Sequence, residues 1–66
     1  MRLDYSTQKC LVALARYCVD AHTATKFADE VETLTRAKLV DFRIRNQVRG
    51  ELKSKGFSLP ARRRSR

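Results

Sequence analysis

Several features that define large classes of proteins are scarce in this chain of 66 residues, which has no Trp, one Pro and two Gly. No run of apolar residues reaches the length of about 18 that a transmembrane helix needs. Acidic residues are also few, seven against 15 Lys and Arg, so the formal net charge is +8. A chain this short buries only roughly 60% of the surface that its unfolded form exposes, which disfavours an enzyme fold with a deep substrate pocket. We therefore predict one small domain that is not an enzyme and does not enter a membrane.

Cysteine and histidine are too sparse and too widely spaced to predict a disulfide or a metal site. Cys10 and Cys18 fall in one predicted helix, where they lie about 12 Å apart along the axis, beyond the reach of a disulfide. His22 is the one histidine, and a zinc site of these three residues lacks a fourth ligand and the usual close spacing. We expect two buried thiols in a reducing compartment, either cytoplasmic or nucleoid/nuclear, with no metal and no cofactor.

The pattern of apolar residues predicts an all-α fold of two or three helices, because strand-like alternation is absent. The predicted helices run from about Ser6 to Ala21, from about Thr25 to Glu32 and from about Thr35 to Lys55. Gly56 supplies a left-handed stop for the third helix, and Pro60 prevents its resumption. We divide the chain into a helical domain, residues 1–57, and a basic tail, residues 58–66. The tail is expected to be disordered, since it is too polar and too charged to pack.

Each predicted helix has an apolar side that can face a core. In the first helix, apolar residues cover most of the circumference, which two short neighbours cannot bury, so we also predict a homodimer. Asp41 falls within the apolar stripe of the third helix, where we expect it to pair with Arg45 one turn further on. The core-facing residues are predicted to be Leu11, Leu14, Ala15, Cys18 and Ala21 in the first helix, Phe27, Ala28 and Val31 in the second, and Leu34, Ala37, Val40, Ile44, Val48 and Leu52 in the third.

Positive charge is concentrated in the second half of the chain. Residues 1–33 have four bases and five acids, a net charge of −1, whereas residues 34–66 have 11 bases and two acids, a net charge of +9. Such segregation is typical of a surface and tail that bind a polyanion, because a like-charged cluster repels itself until an anionic partner neutralises it. Ten of the 15 bases are Arg, whose planar donors suit phosphate groups and guanine edges.

A row of bases at helical spacing follows the outer side of the third predicted helix. Such a row can track phosphates or enter a major groove, which admits one helix. Asn46 can pair with adenine and Arg49 with guanine, so these two residues are the sharpest candidates for base reading. We predict a nucleic-acid-binding site, with DNA favoured over RNA, at Lys38, Arg43, Arg45, Asn46, Arg49, Lys53, Arg62, Arg63, Arg64 and Arg66.

Residues 23–45 have the order of elements of a helix-turn-helix, but the predicted turn from Glu32 to Thr35 contains no Gly, which this motif often has. A tri-helical DNA-binding arrangement, a two-helix hairpin dimer and another kind of bundle therefore stay open. The favoured function is a small DNA-binding protein that acts in transcription regulation or as an accessory factor. One alternative is RNA binding led by the arginine tail.

A second alternative comes from a different class, a small inhibitor or adaptor that docks on an acidic surface of a larger protein. Leu39 and Phe42 are the predicted protein interface in this case, because apolar side chains beside bases suit a binding hot spot. Interfacial membrane binding is disfavoured, since the apolar side of the third predicted helix lacks the Trp and Leu density of such helices.

Overall fold

Three α-helices and no strand make up residues 2–59, the part of the chain that the computed structural model describes. Helix α1 spans Tyr5–Ala15, α2 spans Ala21–Arg36 and α3 spans Phe42–Ser54. The predicted all-α fold is confirmed, and the number of helices is three. Most of the predicted tail lies outside the described residues, but Leu59 packs against the core, contrary to the expectation for the segment after residue 57.

An aspartate precedes the first residue of every helix, and this placement corrects the predicted boundaries. Asp4, Asp20 and Asp41 occupy the three N-cap positions. The Asp20 carboxylate accepts hydrogen bonds from the Thr23 hydroxyl at 2.7 Å and from its backbone N–H at 3.2 Å, and these bonds lower the pKa of Asp20. The Asp41 carboxylate accepts from the Arg43 N–H at 3.4 Å. We predicted Asp20 and Asp41 inside helices, but a short carboxylate is more favourable at a free N-terminal N–H than in a helix interior.

The turn between α2 and α3, residues 37–41, divides the segment that we predicted as the beginning of one long third helix. The α2 helix ends in a Schellman motif, in which the Lys38 N–H donates to the Thr35 carbonyl and the Leu39 N–H donates to the Leu34 carbonyl, both at 3.0 Å. Lys38 has a φ of 67°, the left-handed conformation that usually selects glycine. No Gly or Pro marks this turn, so the sequence pattern did not reveal it.

The end of α3 matches its prediction closely. Gly56 has a φ of 95°, and its N–H donates to the Lys53 carbonyl at 2.9 Å. The Phe57 N–H reaches the Leu52 carbonyl at 3.3 Å, which completes a second Schellman motif. Gly56 therefore performs the predicted role of a left-handed stop.

The core is built around α3, which packs against both other helices, whereas α1 and α2 make little contact with each other. Four predicted core residues of the third helix are buried, but Ala37 is exposed because it lies at the end of α2. The buried apolar residues are small or medium in size, and they are Val12, Ala15, Cys18, Ala24, Ala28, Val31, Val40, Ile44, Val48 and Leu52.

Helix α1 faces the core with a side that only partly matches the predicted one: Ala15 and Cys18 are buried as predicted and Leu11 is half-buried, whereas Ala21 is exposed. Its buried residues are Gln8, Val12 and Ala15, and Leu14 is exposed. Cys10 is also exposed, so the expectation of two buried thiols holds only for Cys18. Both cysteines are free, and no group of metal-binding side chains occurs among residues 2–59.

Gln8 is the one buried polar side chain among the described residues, and it connects three segments of the chain. Its amide nitrogen donates to the Leu3 carbonyl at 2.7 Å, and its amide oxygen accepts from the Asp41 N–H at 2.8 Å. The Leu3 N–H in turn donates to the Leu39 carbonyl at 2.8 Å. Gln8 thus holds the N-terminal segment and the beginning of α3 in fixed positions against α1.

Candidate nucleic-acid interface

Arg45 lies on the side of α3 that faces α2, where an ion pair holds it. Its Nε donates to Glu32 Oε1 at 2.9 Å, and the exposed fractions of the two side chains are 18% and 15%. Burial opposes ionisation of Glu32, but the hydrogen bond and charge of Arg45 outweigh it, so the pKa of Glu32 is lowered. The positive charges of Arg36 and Arg49 contribute in the same direction. The guanidinium of Arg45 therefore stabilises the contact between α2 and α3, and the predicted pair with Asp41 is replaced by this one.

Asn46 is exposed on α3, as its predicted role requires, but one of its polar atoms already has a partner. Arg45 Nη1 donates to Asn46 Oδ1 at 2.8 Å. A bidentate contact with adenine needs this oxygen as an acceptor and the amide nitrogen as a donor. The amide oxygen would therefore have to accept from the base while it also accepts from Arg45.

The predicted site residues in and beside the turn between α2 and α3 differ in their exposure to solvent. Lys38 is exposed in the turn and does not belong to α3. Leu39 is half-buried, whereas Phe42, the first residue of α3, is 60% exposed with the Arg45 guanidinium 5.0 Å from the centre of its ring. A surface depression of about 520 Å³ lies beside Phe42, and its lining includes Arg2, Thr35 and Lys38.

The solvent-facing side of α3 carries only part of the predicted row of bases, because Arg45 is turned toward α2. Arg43, Asn46, Gln47, Gly50 and Lys53 are exposed, whereas Arg49 is half-buried. Arg43, Gln47 and Gly50 follow one another at intervals of three or four residues, and Lys53 follows Gly50 by three, so they share one side of the helix.

A groove of about 430 Å³ runs between this side of α3 and the neighbouring side of α1. Two bases of α1, Lys9 and Arg16, line it together with Gln47, Gly50 and Glu51 of α3; Val12 and Ala13 complete the lining. We call the groove, with the exposed bases of α3 beside it, the α1–α3 face; its cations are Lys9, Arg16, Arg43 and Lys53.

The electrostatic character of the α1–α3 face depends on where the carboxylates lie. Glu51 is the one carboxylate in the lining of the groove, and Arg16 Nη2 lies 3.3 Å from its Oε2. The Lys55 ammonium donates to the Arg16 carbonyl at 2.6 Å, which places another cation at the end of the groove. The other acidic residues lie elsewhere. The three N-caps are Asp4, Asp20 and Asp41, the partner of Arg45 is Glu32, and the exposed acids of α2 are Asp29 and Glu30.

The predicted site and the α1–α3 face overlap only in part. Arg43 and Lys53 belong to both, and Asn46 adjoins the face. Lys9 and Arg16 were missed, because they lie more than 30 residues from Gln47 and Gly50 in the sequence and no linear spacing connects them. Arg62, Arg63, Arg64 and Arg66 lie outside the described residues.

Comparison with known proteins adds no relative from which a role can be transferred: no family model, curated protein or solved structure matches the chain. Among residues 2–59, no helix has the combined length and apolar character required to cross a membrane.

Proposed function

We propose that this protein binds duplex DNA through the α1–α3 face and acts as a small regulator or accessory factor in transcription. The observation on which the proposal depends is the group of exposed cations Lys9, Arg43 and Lys53, none of which pairs with a carboxylate among the described residues. Phosphate contacts supply most of the sequence-independent affinity for DNA, and Lys and Arg are their main donors.

Uncharged donors lie among these cations and suit the same partner. The amides of Asn46 and Gln47 are exposed on the side of α3 that also presents Arg43. Such side chains hydrogen-bond to phosphate oxygens and, in a groove, to base edges. The Arg-rich residues after 60 add further phosphate contacts in this proposal, which would raise affinity without adding sequence preference.

The proposal is tested by a salt titration of the full chain against a fluorescent duplex of about 20 base pairs. If about six phosphates are neutralised, the logarithm of the binding constant should fall with the logarithm of salt concentration at a slope of roughly −5. Fluorescence anisotropy measures this slope directly. No binding at low salt, or a slope near zero, would contradict the proposal.

Two variants locate the contact on the molecule. Arg43→Ala and Lys53→Ala should each reduce the magnitude of the salt slope by about 1, because each removes one phosphate contact. Lys26→Ala is the matched control, since Lys26 is an exposed base on α2. If Lys26→Ala weakens binding as much as Arg43→Ala, the contact is diffuse and the α1–α3 face is not the site. Competition with a hairpin RNA distinguishes DNA from RNA as the preferred partner.

The exposure of Phe42 favours a second candidate function, docking on an acidic surface of a larger protein. An aromatic ring under a guanidinium, beside a depression lined by Arg2 and Lys38, resembles the anchors found at protein interfaces. Phe42→Ala distinguishes the two functions. Loss of a captured protein partner with DNA binding intact would favour the adaptor, whereas unchanged capture would count against it.

We also propose that two copies associate through the end of α1 and the segment that follows it. Leu14, Tyr17 and Val19, which are close together in the sequence, are 53%, 78% and 85% exposed. Apolar side chains that form an exposed patch are typical of a protein interface. Two-fold pairing of identical surfaces would cover it in both copies. Sedimentation should give a dimer for the native chain and a monomer for Leu14→Lys. A monomeric native chain at high micromolar concentration with a cooperative thermal transition would refute the dimer.

A further inference from the structure

Gly50 lies in the interior of α3, at a position where glycine lowers the stability of a helix. A glycine inside a helix reduces the folding equilibrium about fivefold relative to alanine. The cost is usually offset where the backbone needs a left-handed conformation, as at Gly56, whose φ is 95°. Gly50 is not among the residues with positive φ, so its backbone conformation is open to any residue.

Packing among the described residues does not require a glycine at position 50 either. A Cβ atom added to Gly50 would meet no atom within 4 Å, and the residue is exposed. No neighbouring helix approaches closely enough to need the missing side chain. Residues 2–59 therefore give no reason for glycine here, which points to a partner outside the chain.

The surroundings of Gly50 indicate what approaches it. Gly50 lines the groove between α1 and α3 with Lys9 and Arg16 on the opposite side. Arg43 and Lys53 lie two turns before it and about one turn after it on α3. The absence of a side chain lowers the surface of α3 at this point, so a chain with regularly spaced negative charges can lie close to the helix backbone while cations contact it from both sides.

We propose that a sugar–phosphate strand of the bound duplex crosses α3 at Gly50 and follows the groove between α1 and α3. This inference rests on the proposed function and adds the path of the strand to it. Lys9 contacts the phosphates from α1 and Arg43 from α3, with the Gln47 amide between them as an uncharged donor. Arg16 adds positive charge to the groove, and its pair with Glu51 is exposed enough for a phosphate of the strand to compete with the carboxylate.

The test separates the stability of α3 from the binding of DNA. Gly50→Ala should raise the urea midpoint by about 0.5–1 M, because alanine has the higher helix propensity. The same variant should weaken binding to a duplex of about 20 base pairs by about threefold, and Gly50→Gln should weaken it by more than about tenfold through steric exclusion of the strand. Thr33→Gln, on the exposed side of α2, is the control for an enlarged helix surface and should leave binding unchanged.

Each outcome supports or overturns the inference. A Gly50→Ala variant that is more stable and binds less tightly supports it. Unchanged binding by Gly50→Gln, while Arg43→Ala still flattens the salt slope, overturns the strand path and leaves the proposed function standing. A Gly50→Ala variant that is less stable than the native chain means that the fold itself requires the glycine, which also overturns it. If the native chain does not bind the duplex at all, the proposed function and this inference are both wrong.

Discussion

Gln8 offers a sharp test of how this small fold is held together, because one buried side chain satisfies backbone groups from two separate segments. Substitution by Met keeps an unbranched side chain of similar length and removes its hydrogen bonds to the Leu3 carbonyl and the Asp41 N–H. A buried polar group that loses its partner costs about 1–3 kcal/mol. Both bonds are only partly buried, so we take the lower end of that range for each. The expected loss of unfolding free energy for Gln8→Met is therefore about 2 kcal/mol.

Such a loss is large for a domain of this size, whose total stability is expected to be about 3–10 kcal/mol. Urea unfolding followed by helical circular dichroism measures it. With a denaturant slope of about 1 kcal/mol per molar, the midpoint for Gln8→Met should fall by about 2 M at an unchanged slope. Gln47→Met makes the same chemical change at an exposed position of α3, and its effect should stay within about 0.5 kcal/mol. If the two variants unfold at the same urea concentration, Gln8 does not join these segments.

Three further predictions concern the ends and charges of the helices. Lys38→Gly should stabilise the fold by about 1 kcal/mol, because glycine adopts the left-handed conformation of Lys38 without strain. Gly56→Ala should destabilise the fold by a similar amount, because it places a side chain in that conformation. Thermal melting of both variants checks the two signs. Arg45→Ala should cost about 2 kcal/mol in urea unfolding because it leaves a largely buried carboxylate without its donor, and Arg43→Ala, at an exposed position, should cost almost nothing. The lowered pKa of Glu32 means that its ionised form stabilises the native state, so this contribution is present above the pKa of the unfolded chain and is lost as the pH falls through the lower native value. Between about pH 5 and about pH 3, the unfolding free energy of Glu32→Gln should fall less than that of the native chain. If the two unfolding free energies change with pH in parallel, ionised Glu32 does not stabilise the fold.

The charge distribution limits how the chain can meet a polyanion. Within the described part of the chain, Arg16 and Arg45 form ion pairs whose acidic partners lie on two different helices. The ion pair of Arg45 is largely buried and has a structural role, whereas Arg16 is 61% exposed and can still face a ligand. Exposed pairs contribute little stability, so an incoming phosphate can compete for Arg16 at low cost. The α1–α3 face can therefore use Arg16 for a phosphate, whereas Arg45, on the side of α3 that faces α2, stays paired with Glu32.

Local patterns in the sequence were sufficient for several elements of the fold. The all-α class, the buried positions Ile44, Val48 and Leu52, and the stop at Gly56 all follow from the chemistry of residues within one or two helical turns. The helix boundaries near Asp20 and Asp41 were misplaced, because neither Gly nor Pro marks them. An aspartate that follows a helical pattern can belong to the helix or cap the next one, and local propensity does not decide between these two positions.

The excess of positive charge in the second half of the chain, the scarcity of metal ligands and the absence of a long apolar run follow from the sequence by itself, since they depend only on composition and order. The tertiary structure decided which cations share a surface. Packing of α1 against α3 brings Lys9 and Arg16 to the groove beside Gly50, and packing of α2 against α3 turns Arg45 toward Glu32. Contacts between residues far apart in the chain arise from the way the helices bury their apolar sides together, and no spacing within a single helix contains that information.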